Sequence, residues 1–297
     1  MSTKKETGEI ATPKNPQELT ILQKSLKRAF GGGLTGSAAM IIQVTSLMWL
    51  RTIMNYQYRY GTSMKEAAQT LYKDGGLTRF YRGYGAALAI GPLSRFGDTA
   101  ANSFAIEFLK DKKISTVFKT MFGSFLASCN RILLMPIDAL KTSLQVDGKQ
   151  GLTNLKNKIK VNGIFTLWNG TAASMSATFV GHYPWFLTYN VLNAALPKYN
   201  DSTIKKLSRN ALIGFCSAVI SDTSSNSLRV IKTKKQTYHE HITYPQALKN
   251  VVETDGYIGL FGRGLKTRIL TNGLQGILFT VLWNFFQEKY FKKRDRI

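Results

Sequence analysis

Acidic residues and cysteines are scarce in this sequence, and their scarcity excludes several functions. Asp and Glu make up 17 of the 297 residues against 40 Lys and Arg, which gives a formal net charge of +23. The two cysteines suit neither a disulfide framework nor a metal site, and the three histidines form no ligand cluster. No nucleophile–base pair or phosphate-binding loop is found, so we expect neither an enzyme nor a bound metal or cofactor.

Charged residues are missing altogether from three long stretches, at 30–50, 171–196 and 269–287. Each stretch matches the roughly 20 residues that a helix needs to cross a bilayer, and Lys and Arg border it. These stretches predict a membrane protein, with a soluble helical protein as the alternative. The N-terminal segment is polar and has neither the apolar core of a secretory signal nor an Arg-rich transit pattern, so we expect any targeting information to be internal.

Two short patterns recur three times along the chain. SLMWLR, PIDALK and SLRVIK begin at Ser46, Pro136 and Ser227, which are 90 and 91 residues apart, and a glycine-containing marker later ends at Gly83, Gly170 and Gly264. This period predicts three repeats, each with two long apolar helices and a short amphipathic helix between them. We place a polar N-terminal segment at 1–24, the repeats at 25–110, 111–200 and 201–290, a basic tail at 291–297 and the short helices at 63–73, 153–161 and 244–253.

Prolines fall inside three of the predicted long helices, at Pro92, Pro136 and Pro184. Because a proline removes a backbone hydrogen bond and bends a helix, helices of this kind around a threefold pseudo-axis would form a funnel. Charged side chains at its narrow end would then meet those of neighbouring helices.

With these patterns the sequence resembles the mitochondrial carrier family, whose signature P-x-[DE]-x-x-[KR] occurs three times and is followed each time by a glycine–aromatic–basic marker. Pro136, Asp138 and Lys141 match the signature fully, and the resemblance covers residues 25–290. It implies an all-α protein with six transmembrane helices in three repeats of about 90 residues, pseudo-threefold symmetry and three short matrix-side helices. It also implies a monomer in the mitochondrial inner membrane that exchanges a solute by alternating access; a peroxisomal membrane is the alternative.

In this family the signature acids and bases form a ring of ion pairs that closes the matrix side, and a glutamine after each signature braces the ring. Here Met48 and Arg229 stand where two of the three acids belong. We therefore expect one full pair, Asp138–Lys232. The resemblance implies these members of the matrix gate: Arg51, Asp138, Lys141, Arg229, Lys232, Gln145 and Gln236, with Asn55 at the glutamine position of the first repeat.

The missing acids have consequences for the other bases of this ring. By analogy Lys141 faces Met48 and Arg51 faces Arg229, and like charges in a poorly hydrated ring repel each other. We expect either a weak matrix gate or an anion, such as the solute or a cardiolipin headgroup, that offsets the charge.

The second gate of the family, on the cytoplasmic side, is formed by [FY]-[DE]-x-x-[KR] on the even-numbered helices. Amides replace its charges here, so we expect a neutral gate that closes less tightly. Its members are Tyr189, Asn190, Asn193, Trp283, Asn284 and Gln287.

Ionisable residues within membrane helices are candidates for the solute site because a charge in lipid is costly. Arg131 and Asp222 each lie five residues before their repeat's anchor, and they form either a salt bridge that joins two helices or a site for a carboxylate or zwitterion. For Arg95 a local pair with Asp98 is the alternative, and for His182 a buried imidazole. Together with positions implied by the resemblance, the candidate solute-binding residues are Arg131, Asp222, Arg95, His182, Ile90, Gly91, Ala177, Thr178, Thr271 and Asn272.

These observations favour a carrier of a small anionic or zwitterionic metabolite, with an anionic membrane lipid such as cardiolipin as a further partner. The alternatives are transport of a nucleotide or cofactor, and a carrier-fold scaffold that no longer transports. Nucleic-acid binding would require basic residues and aromatics on one continuous face. The basic residues instead cluster at helix ends and loops, so we expect no nucleic acid to bind.

Overall fold

The computed structural model describes residues 33–110, 112, 114–199 and 203–286. These residues form eight α-helices and one short 3-10 helix without any strand, which confirms the all-α prediction. The predicted terminal segments, 1–24 and 291–297, lie outside the described residues. In chain order the helices are α1 Gly33–Tyr60, α2 Met64–Phe80, α3 Tyr84–Phe108, α4 Thr116–Asn162, the 3-10 helix Ile164–Trp168, α5 Thr171–Ala195, α6 Thr203–Thr237, α7 Tyr244–Gly262 and α8 Leu265–Phe286.

The short amphipathic segments are helical, but they differ in how they begin. Ser63 caps α2 by accepting a hydrogen bond from the backbone N–H of Glu66, and Thr243 forms a capping box with Gln246 at the start of α7. The second segment has no cap of its own, because α4 continues into it through Gly148, where φ is +62°. A glycine adopts this backbone angle without steric cost, so the chain changes direction there without a loop.

Three marker glycines fix the packing of the long helices. Gly83, Gly170 and Gly264 precede α3, α5 and α8 with φ values of +80°, +87° and +65°. A Cβ atom at these glycines would lie 3.0 Å from the carbonyl oxygen of Lys141, 3.2 Å from that of Lys232 and 3.2 Å from that of Met54, respectively. Each glycine therefore lets the start of one helix approach the backbone of another, α4, α6 or α1.

The six long helices form a closed ring in the order α1, α3, α4, α5, α6 and α8, with α8 packed against α1. The prolines at 92, 136 and 184 lie inside α3, α4 and α5, and each helix continues through its proline. The centre of the ring is left open as a cavity.

Hydropathy alone selects one membrane-crossing candidate among the described helices. The described part of α4, Phe118–Asn162, is long enough and contains an 18-residue window with a mean hydropathy of 1.2. The charge-free run of α5 contains several Gly, Ser, Thr and Asn residues, which lower its mean hydropathy without adding charge.

Candidate functional site

A cavity of about 670 Å³ lies inside the ring, and all six long helices contribute to its wall. The described residues of α2 and α7 do not reach it. On α4 the lining positions recur every three or four residues from Thr120 to Gln145, which is one face of a helix over about 37 Å at 1.5 Å per residue. The cavity is therefore long and narrow, with the signature residues at one end.

Asp138 is the centre of this end. It is buried, accepts a hydrogen bond from the Nζ of Lys141, 2.7 Å away on its own helix, and forms an ion pair with the Nζ of Lys232 on α6. The expected Asp138–Lys232 pair is thus present. Lys141, which we expected to face Met48 and so to have no acid partner, forms an ion pair with Asp138, while Met48 packs in an apolar cluster with Val44.

The amides that follow the signatures link helices to each other. The Nδ2 of Asn55 on α1 donates to the Oε1 of Gln145 on α4 over 2.5 Å, and both side chains are buried. Gln145 and Gln236 also contact the sulfur atoms of Met48 and Met135, at 3.5 Å and 3.8 Å. These amides join α1 to α4 and α4 to α6 at this end of the cavity, in addition to the ion pair of Asp138.

Arg51 and Arg229, which the resemblance implies to face each other, each donate to a neutral side chain. Both line the cavity, but the Nη2 of Arg51 donates to the Oε1 of Gln275 on α8 over 2.9 Å, and the Nε of Arg229 donates to the hydroxyl of Ser225 over 3.3 Å.

Of the two alternatives for Arg131 and Asp222, a salt bridge between them is contradicted. Arg131 on α4 pairs with Asp98 on α3 over 2.8 Å and donates to Ser94 over 2.6 Å. Asp222 is buried in α6 and pairs with Arg268 on α8 over 2.5 Å. Each carboxylate has a cation on an adjacent helix of the ring, so neither needs a partner across the cavity.

Arg268 and the role of Asp98 were missed by the sequence argument. Arg268 directly precedes the charge-free run 269–287, so its place in the sequence is that of a basic residue that borders a membrane span. A separate test of ionisable residues close to apolar runs would have found it. The carboxylate of Asp98 contacts Arg131. The side chain of Arg95 is outside the described part, so the local pair Arg95–Asp98 stays a prediction.

The remaining candidates from the sequence lie on the cavity wall: Ile90, Gly91, Ala177, Thr178, His182, Thr271 and Asn272. The hydroxyl groups of Thr178 and Thr271 donate to carbonyl oxygens one turn earlier in their own helices, at 3.0 Å and 2.7 Å. Asn272 donates to Asp222. His182 packs edge-on against Phe186 with ring centroids 6.3 Å apart. This part of the wall is thus small or internally hydrogen-bonded.

A family comparison agrees with this architecture. The family model "Mitochondrial carrier protein" matches residues 112–200 and 205–294, together more than half of the 297 residues. The chain belongs to the mitochondrial carrier family. The matched stretches begin close to the predicted second and third repeats.

Several curated relatives of this carrier are transporters by name. The mitochondrial glycine transporter of Aspergillus niger is 30% identical over 173 residues, 53% of this chain and 55% of the relative. The mitochondrial ornithine transporter 1 of Saccharomyces cerevisiae is 25% identical over 65% of this chain and 72% of its own. The peroxisomal adenine nucleotide transporter 1 of the same yeast is 25% identical over 51% and 56%. The carrier spans about half the length of the first and third of these relatives.

The opposite end of the carrier has a different chemistry. Asn193, a predicted gate residue, accepts from Arg209, which also donates to the carbonyl oxygens of Asn193 and Leu196 and so caps α5. Tyr189 stacks on Trp185 with centroids 5.1 Å apart, and Asn190 is exposed. The side chains of Trp283 and Asn284, and all of Gln287, are outside the described part, so the cytoplasmic gate stays a prediction.

Positive charge exceeds negative charge around the cavity of the carrier. The basic residues on its described wall are Arg51, Arg131, Lys141, Arg229, Lys232 and Arg268. The acidic residues of this wall are Asp98 and Asp138, and Asp222 stands behind Arg268. Six cations against three carboxylates give an interior that attracts anions.

Proposed function

We propose that this carrier moves a small anionic or zwitterionic metabolite across the mitochondrial inner membrane by alternating access. The observation that supports this most directly is the cavity of about 670 Å³, surrounded by six helices and rich in cations. Its size lies within the range of roughly 300–1,000 Å³ usual for small-molecule sites. The Asp138 ion pairs lie at one end of it, which supports a gate at that end on the matrix side.

The six long helices are the proposed membrane spans, and α2, the end of α4 and α7 are the short matrix-side helices. The proposed repeats are 25–110, 111–200 and 201–290. Support comes from the three marker glycines, because each lies at the same point of its repeat and approaches the motif helix of another repeat. A threefold arrangement is the simplest one that makes all three contacts alike.

The proposed solute site combines Arg131 with the cavity wall at Thr178, His182 and Asn272. In this structure Arg131 has a carboxylate partner, Asp98, and the side chain of Arg131 is 21% exposed. An acid group of the solute would compete with Asp98 for the same guanidinium, which links solute binding to the contact between α3 and α4.

Several features of the proposal rest on the family rather than on contacts in this chain. We place the carrier in the mitochondrial inner membrane as a monomer without enzymatic activity, in contact with an anionic lipid such as cardiolipin. A peroxisomal location is the alternative, since one relative is named as peroxisomal. Transport of a nucleotide is a second candidate function, which the cationic cavity wall favours equally.

Uptake by purified protein in liposomes tests the proposal. We expect exchange of at least one anionic or zwitterionic solute in a screen of labelled carboxylates, amino acids, nucleotides and cofactors, and none in protein-free liposomes. Absence of uptake from every class, with protein that unfolds cooperatively, would favour the scaffold alternative. Extraction from membranes without detergent would contradict a membrane protein altogether.

A further inference from the structure

Position 229 distinguishes the third repeat from the other two. Met48, Asp138 and Arg229 occupy equivalent places, 90 and 91 residues apart. Met48 is fully buried in an apolar cluster, and Asp138 is paired with two lysines. Three equivalent positions thus hold an apolar group, an anion and a cation.

Arg229 lacks a carboxylate partner among the residues that the structure describes. Its one hydrogen bond there runs from Nε to the Oγ of Ser225, at 3.3 Å, and its two Nη groups donate to none of these residues. The side chain lines the cavity. The fork of two Nη groups is therefore presented to the cavity.

The other cavity cations are placed differently. Arg131 and Arg268 pair with Asp98 and Asp222 on adjacent helices, and Lys141 and Lys232 share Asp138. Arg51 donates to Gln275. Arg229 thus combines three properties: it lies on the cavity wall, its guanidinium group is held at Nε, and its fork has no protein acceptor in the described residues.

The packing of α5 against α6 holds the guanidinium group in this orientation. Ser225 donates its hydroxyl proton to the carbonyl oxygen of Ser221 over 2.8 Å, so its oxygen is left to accept from Arg229. Gly181 of α5 lies against both serines: a Cβ at this glycine would be 3.0 Å from the Oγ of Ser221 and 3.3 Å from that of Ser225. The acceptor of Arg229 is fixed by tight packing, which lowers the cost of ordering this arginine when a ligand binds.

We propose that Arg229 is an anion subsite of the cavity, where the Nη fork binds an acid group of the transported solute, a carboxylate or a phosphate. Two parallel N–H donors in a fixed plane match both groups bidentately. The bound acid group supplies the negative charge that Asp138 supplies in the second repeat. The proposal rests on the transport function above, which it extends by assigning the solute an acid group and a residue that binds it.

Thermal unfolding in detergent tests the subsite without any transport. The probes are inorganic phosphate and malonate, each compared with sodium chloride at equal ionic strength. A ligand that binds only the folded protein raises the unfolding midpoint, by about 2–4 °C for a tenfold excess over its dissociation constant. We expect such a rise for the unmodified protein with at least one probe, and the probe with the larger rise identifies the acid group.

Three variants of the arginine and one control make the test specific. Arg229→Gln should abolish the rise, and Arg229→Lys, which keeps the charge without the fork, should reduce it. Arg229→Asp should abolish the rise and increase the midpoint without probe, because a carboxylate then faces the basic wall. The control Lys156→Gln, at an exposed lysine of α4, should keep the full rise.

The outcomes separate this subsite from the proposed function. An equal rise in the unmodified protein and in both Arg229→Gln and Arg229→Lys would overturn the subsite, and so would no rise with either probe. Should Arg229→Gln fail to fold, the comparison rests on Arg229→Lys and Arg229→Asp. A rise that depends on Arg229 in a protein that transports nothing would support the subsite and refute the transport function.

Discussion

Asp138 on α4 is ion-paired with Lys232 on α6 and with Lys141 on its own helix, so one carboxylate compensates two lysines and joins two helices. Its side chain is 9% exposed. The described residues of the other two repeats offer no second acid at the equivalent positions, which are occupied by Met48 and Arg229. The ion pairs at this end of the cavity therefore depend on Asp138 more than on any other single charge.

Replacing this carboxylate by an amide should lower the free energy of unfolding. We expect Asp138→Asn to cost about 3–5 kcal/mol, because it leaves two largely buried lysines, whose side chains are 20% and 18% exposed, without a counter-charge. Thermal unfolding in detergent measures this. The control Glu253→Gln breaks the exposed Lys249–Glu253 pair of α7 and should cost at most about 1 kcal/mol. Similar losses in the two variants would contradict the importance given to Asp138.

The glycine that begins α3 should be far less replaceable than one two residues further on. Gly83→Ala combines a left-handed backbone, at φ +80°, with a Cβ placed 3.0 Å from the carbonyl oxygen of Lys141. We expect a loss of at least about 2 kcal/mol from strain and the displaced helix. Gly85→Ala is the matched control: its Cβ would meet nothing within 4 Å, and alanine is favoured over glycine in a helix by about 0.5–1 kcal/mol. Equal effects would show that the approach of α3 to α4 is unimportant.

The amide pair between α1 and α4 should show measurable coupling. Asn55 and Gln145 are buried and 2.5 Å apart, so each single replacement, Asn55→Leu or Gln145→Met, leaves a buried amide without its partner. We expect a coupling energy of about 1–2 kcal/mol in a double-mutant cycle on unfolding. The pair Gln150–Asn154, at 3.4 Å on the surface of α4, serves as control and should show a coupling near zero. Additive effects at Asn55 and Gln145 would be evidence against the bracing role.

The sequence alone predicted the helices and those contacts that a repeated pattern specifies. The marker glycines indicated where α3, α5 and α8 begin, and the Asp138–Lys232 pair followed from a single intact signature. Both inferences use the distance between equivalent positions, which a sequence records directly. The break at Gly148 was not predicted, because a glycine inside a helix specifies a change of direction only through the contacts of the chain beyond it.

The choice of ion-pair partners was not predictable in the same way. Arg131 and Asp222 stand at the same level of their repeats, yet Arg131 pairs with Asp98 and Asp222 with Arg268. The level of a residue along the membrane follows from its place in the repeat. Its partner depends on the rotation of each helix and on which neighbour is adjacent, which periodicity within one helix does not specify.

The pair Arg131–Asp98 allows a test of whether Arg131 has a role beyond holding helices together. The side chains are 21% and 31% exposed, so we expect Arg131→Gln and Asp98→Asn each to cost about 1–3 kcal/mol on unfolding, between the values for exposed and buried pairs. The double variant Arg131→Gln/Asp98→Asn leaves neither charge unpaired and should recover most of that stability. Liposome uptake should nevertheless stay low in the double variant, because the solute also loses a cation on the cavity wall. Recovery of uptake together with stability would assign Arg131 a structural role alone and leave solute binding to the other cavity residues.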